Sequence, residues 1–158
     1  MQETWGINMS HFLTPEDIEF KQQVEASTFP IPNFDHRAHL RLAYIYLVEN
    51  DTDEATNKMR NALLGLLKSA GIDPSAKFHE TITKAWVLAV QYFMSQTGES
   101  ESADVFIDQN PEMLDSKIML THYSAEVLFS DSARSEFVEP NLEPIPRVGL
   151  RTNSGPKE

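Results

Sequence analysis

The chain has no cysteine anywhere in its 158 residues. Disulfide scaffolds, thiolate metal sites and cysteine nucleophiles are thereby excluded, and any zinc or iron site would have to use nitrogen and oxygen ligands. Positive charge is also scarce. Thirteen Lys and Arg stand against twenty-four Asp and Glu, for a formal charge of −11. A surface of that sign repels phosphate backbones and anionic lipid, so neither nucleic acid nor a membrane surface is an expected partner. No apolar run approaches the roughly 20 residues needed to span a bilayer. Residues 1–6 have neither a basic start nor an apolar core, so no signal peptide is expected and the expected location is cytoplasmic. A glycine-rich phosphate loop, a Gly-x-Ser-x-Gly elbow, a dinucleotide fingerprint and a His-Glu-x-x-His pair are all missing, which removes most nucleotide enzymes and several hydrolase classes.

What is present suits one globular domain: 41% apolar residues, with enough chain to bury a sizeable core. The apolar spacing is helical throughout, and no alternating strand pattern is sustained. Thr14-Pro15-Glu16-Asp17 supplies an N-cap, a first-turn proline and first-turn acid. Asp35 caps a second helix to about Glu49, and a third helix restarts at Asp51-Thr52 and stops at Gly71 in a left-handed cap. A fourth helix is expected over residues 76–95, and a short one over residues 103–108. A further helical segment opens at Pro111, and Ser124 and Ser130 cap short turns. Pro140, Pro144, Pro146 and Gly149 forbid regular helix beyond them. The expected fold is all-α: a compact single-domain helical bundle over residues 14–146 with an extended, proline-rich C-terminal strap. A flexible N-terminal arm over residues 1–13 and a disordered tail over residues 147–158 flank it.

Histidines carry the chemistry. His36 and His39 lie three apart and share one helix face. His79 heads the run His79-Glu80-Thr81-Ile82-Thr83, and His122 sits in a short polar segment. Imidazoles projecting between packed helices are costly to bury unless something satisfies them. His36, His39 and His79 are therefore candidate ligands of one divalent metal (Zn, Fe, Ni or Mn), leaving a position open for water or substrate. Glu80 would be the base and Thr83 an orienting hydroxyl. Thr81, His122 and Arg134 are further pocket candidates, Arg134 because a guanidinium matches carboxylate geometry.

A plainer account stands beside each. His36 can cap locally or bond Asp35, and His39 can be a core histidine bonded to a backbone carbonyl, Thr81 or Thr83. Glu80 and Lys84 can form a surface i,i+4 pair. Thr81 can face solvent, Thr83 can bond back to the His79 carbonyl, and Arg134 can pair with Glu139 or a helix C-terminus. Two His at this spacing are not specific on their own.

The motifs also carry a resemblance. Phe34-x-His36-Arg37-x-His39-Leu40, then Lys77-x-His79-Glu80-Thr81-x-Thr83, then Ala133-Arg134, Phe137-Val138-Glu139-Pro140 and Leu142-x-Pro144-x-Pro146 resemble an uncharacterised family of small bacterial helical proteins. The resemblance covers about residues 20–146, and His-Glu-Thr-x-Thr is its most specific part. Asn141 stands where that pattern has Asp. The resemblance implies a shared pocket for these histidines, Glu80 and the threonines, but no reaction. Two functional expectations follow: a metal-dependent enzyme acting on a small molecule in a His/Glu-lined interhelical pocket, or a non-catalytic module that binds or senses one. In a third, structural or partner-binding reading, the histidines only fix helix packing. The sequence leaves the oligomeric state open.

Overall fold

Thr14 opens the first helix through a reciprocal capping box. Its hydroxyl accepts the Asp17 N–H at 3.1 Å, and the Asp17 carboxylate accepts the Thr14 N–H at 3.2 Å. The computed structural model describes residues 10–147. Its helices are α1 (Pro15–Glu25), α2 (His36–Glu49), α3 (Thr52–Ser69), α4 (Pro74–Lys77), α5 (Glu80–Gln96), α6 (Ala103–Gln109), α7 (Ala125–Leu128) and α8 (Asp131–Ser135). Short 3-10 turns at Ile31–Asn33, Pro111–Leu114 and Ser116–Thr121 complete the helical content. Among the described residues the only β pairing is one isolated bridge between His11 and Ser100.

The expected helix starts are present for a common reason. Asp35, Asp51, Ser102, Ser124 and Ser130 each accept an N–H of the following first turn. Gly71 follows α3 at φ +76°, where a side chain would be strained. Two expectations change. The segment opening at Pro111 forms two 3-10 turns rather than one helix. The helix expected over residues 76–95 is broken: α4 stops at Phe78, whose ψ of 142° is extended, and α5 restarts after His79. No proline or glycine marks that break. The His79 side chain makes it, by acting as a cap.

α2, α3 and α5 pack pairwise as a central layer, with α1 against α2 and α3, α6 against α2, and α8 against α5. α2 is enclosed on all sides, since Leu42, Ala43, Tyr44, Ile45 and Leu47 are all fully buried. Burying each such Leu or Ile is worth about 1.5–3 kcal/mol of transfer free energy. α3 by contrast buries one stripe only, Ala55, Met59, Ala62 and Leu66, at helical spacing. Asp17 ties three elements from inside. It is 1% exposed, meets Arg41 Nε at 3.1 Å and also accepts the Ala103 N–H at 3.1 Å.

Of the arm expected over residues 1–13, residues 1–9 lie outside the described residues. Residues 10–13 are docked: His11 is buried, its Nδ1 2.6 Å from Ser100 Oγ and its Nε2 donating to the Met94 carbonyl at 2.8 Å. Tyr44 Oη closes the group, 2.6 Å from Ser100 Oγ and donating to the Phe12 carbonyl. At the other end residues 136–147 contain no helix. They are held by Tyr123 Oη, which donates to the Val138 carbonyl at 2.6 Å, and by the buried Ile145. The tail expected over residues 147–158 lies, beyond Arg147, outside the described residues.

Candidate functional site

A cavity of about 450 Å³ opens between α2, α3 and the junction of α4 with α5. Ile31 and Phe34 enter from the turn before α2, and Leu63, Leu66 and Leu67 from α3. Ile72, Lys77, Phe78, His79, Ile82 and Thr83 complete the lining with His39. The cavity thus brings together three of the expected site residues: His39, His79 and Thr83.

His39 is the unusual member. Its Nε2 is shut off from solvent, and it is the only such side-chain nitrogen or oxygen among the described residues without a hydrogen-bond partner. The expected bond to a backbone carbonyl, Thr81 or Thr83 is not made. Burial lowers its pKa to about 4, and the neighbouring His36 pushes it the same way. His39 is therefore neutral at pH 7, and an unmet buried nitrogen of this kind costs about 1–3 kcal/mol.

His79 is committed on both sides of its ring. Nδ1 accepts the Ile82 N–H at 3.1 Å, so the proton of the neutral ring sits on Nε2, which donates to the Leu128 carbonyl at 2.7 Å. Burial lowers its pKa as the largest influence, so the neutral tautomer these bonds require is favoured. Thr83 behaves as the plain account expects, donating to the His79 carbonyl at 2.8 Å.

The metal expectation is corrected. His36 does not join the cavity. Its Nε2 donates to the Met113 carbonyl at 2.9 Å and its ring meets Trp86 edge-on at 4.7 Å. His79 has no lone pair free while it caps α5. Among the described residues no group of three or more His, Asp or Glu side chains is placed to hold a metal ion. The Zn, Fe, Ni or Mn site proposed for His36, His39 and His79 is therefore not assembled.

Glu80, the expected base, is not among the residues that line the cavity. It turns away to α3, where Arg60 Nε and Nη2 grip both carboxylate oxygens at 2.9 and 2.6 Å. Lys84, its alternative partner, instead lies over the Phe137 ring at 4.5 Å. Thr81 does not face solvent. It is fully buried, donates to the Glu136 carbonyl at 2.9 Å and accepts the Val138 N–H at 3.0 Å. His122 Nδ1 donates to the Glu143 carbonyl at 2.7 Å. Arg134 donates to the Phe78 carbonyl at 3.1 Å, while Glu139 pairs with Arg147.

A second cavity, about 580 Å³, is bordered by Phe12, Glu99, Ser100, Glu101, Val105 and Gln109. Its buried hydroxyl, Ser100, is already engaged by His11 and Tyr44. The sequence reading missed the His11–Ser100–Tyr44 group, because a lone histidine in an apparently loose arm has no periodicity to expose it. That group joins segments and leaves no polar atom to receive a ligand.

No family model matches this chain, and no curated protein or solved structure gives a significant match. No described helix is long and apolar enough to cross a membrane.

Proposed function

We propose that this protein binds a small organic molecule in the His39 cavity, as a binding or sensing module. One observation carries the reading: the unpartnered, buried Nε2 of His39 on a residue that lines an apolar cavity. His39 lines the cavity while its Nε2 is shut off, so a side-chain shift that opens Nε2 lets a polar ligand atom remove its penalty, while Leu63, Leu66, Leu67 and Ile82 supply apolar contact. Binding is favoured over acid–base catalysis for two reasons. A base with a pKa of about 4 is poorly matched to proton abstraction near pH 7. No carboxylate lines the cavity to assist it.

The remaining motif residues then have supporting roles. His79 and Thr83 fix the first turn of α5 as one wall. Thr81 anchors the proline-rich C-terminal run, which acts as a strap behind that wall. In this reading the His79-Glu80-Thr81-Ile82-Thr83 run and the proline-rich segment build and brace a pocket that needs no metal.

A thermal-shift fragment screen on the purified protein and on His39→Leu tests the proposal. Hits that stabilise the native chain should lose about tenfold or more in affinity in the variant, because their polar atom is left unpaired. Hits bound equally by both proteins would overturn the role of His39. An absence of any hit competing for the cavity would overturn the proposal itself.

A further inference from the structure

Resting on the pocket reading above, we propose that the ligand is a monocarboxylate with a largely apolar body, whose charged end sits at Lys77. The chain carries twenty-four Asp and Glu, yet none of them lines this cavity, and Lys77 is its one charged lining residue. Lys77 is exposed at the end of α4, and its side chain makes no hydrogen bond or ion pair to another described residue. A lysine without a partner on a chain of net charge −11 is a local reversal of sign.

The backbone agrees with that sign. α5 begins at this cavity, with its N-cap His79 and its third and fourth residues, Ile82 and Thr83, in the lining. The N-terminal end of a 17-residue helix carries partial positive charge, which favours an anion close by. The apolar side chains of Phe34, Leu66 and Ile82 then receive the body of the ligand. At about 450 Å³ the space lies in the lower half of the ~300–1,000 Å³ typical of small-molecule sites, which limits that body to a short chain or a single ring. The two demands are separate: Lys77 selects the charge, and His39 Nε2 is left for a second polar group on the ligand's body, which the simple probes below do not carry.

Calorimetric titration of the full chain with matched carboxylate, alcohol and amine triplets, on hexyl, octyl and phenylpropyl bodies, tests the assignment. The carboxylate of the best-fitting body should bind at least about threefold tighter than its amine, as expected for a partly exposed charge pair. The overall negative field acts in the opposite direction, so net charge cannot produce that order. Lys77→Gln should abolish the preference, and Lys77→Glu, at an exposed position that leaves the core untouched, should reverse it.

Equal binding within every triplet, or a preference unchanged in Lys77→Glu, would overturn the carboxylate assignment and leave the pocket reading intact. Failure of all three bodies to bind in any form would overturn the assignment and count against the pocket reading as well.

Discussion

His79 accepts the Ile82 amide at Nδ1 across 3.1 Å, and that bond fixes what the His-Glu-Thr-x-Thr motif does. It starts α5, sets the ring's tautomer and turns Nε2–H towards Leu128. The motif is architectural at its histidine, its glutamate and its first threonine. The cavity it borders is left to His39.

Replacing the His79 ring should therefore cost stability in two separable parts. His79→Ala loses the cap and the Leu128 bond and should destabilise by about 1–3 kcal/mol. His79→Asn keeps an N-capping oxygen and should recover roughly 1 kcal/mol of that loss. Urea unfolding of both variants at pH 7.5 checks the order. Equal stability of the two would show that the cap carries nothing.

His39 should behave in the opposite way. Removing its unmet nitrogen relieves a penalty, so His39→Leu should stabilise the ligand-free protein by about 1–3 kcal/mol at pH 7.5. The acid limb should change too. The folded pKa, about 4, lies below the unfolded value of roughly 6.5. His39 is neutral in both states above pH 6.5, so its contribution is fully present there. As pH falls towards 4 the unfolded chain takes up the proton first, and stability drops by on the order of 3 kcal/mol. Urea midpoints from pH 7.5 to 4.5 should show a slope that is clearly shallower in His39→Leu. A variant that is less stable than the native chain and keeps the full slope would contradict this account.

Thr81 links α5 to residues 136–147 through two bonds to one hydroxyl. Thr81→Val preserves shape, strands the Val138 N–H and the Glu136 carbonyl, and should cost about 1–3 kcal/mol. The loss should concentrate in that segment. Amide hydrogen exchange should speed up at Val138 well before it does in α2, and uniform protection across both would show the two bonds to be dispensable.

Much of the fold was legible because it rests on local chemistry. Thr14, Asp35, Asp51, Ser124 and Ser130 announce helix starts through side chains that reach one turn ahead, and Gly71 announces a stop. The break at Phe78–His79 was not legible, since histidine is an uncommon cap and the apolar spacing runs on through it.

The site was half legible. Burial of His39 followed from its place on an enclosed helix, but whether a partner would meet it depends on contacts formed across the fold. The same holds for Glu80. Its neighbour at helical spacing is Lys84, yet the carboxylate goes to Arg60, twenty residues away, whose planar fork fits both oxygens at once. Asp17 showed only its capping role, because its bonds to Arg41 and Ala103 come from distant segments.

Imidazole-nitrogen NMR on histidine-labelled protein, titrated at pH 7 with the tightest fragment from the screen, addresses the central claim most directly. The account predicts that the His39 Nε2 resonance moves furthest on saturation, while His79 keeps its Nε2–H tautomer at every ligand concentration. A titration in which His39 stays still while His36 or His79 shifts would contradict it.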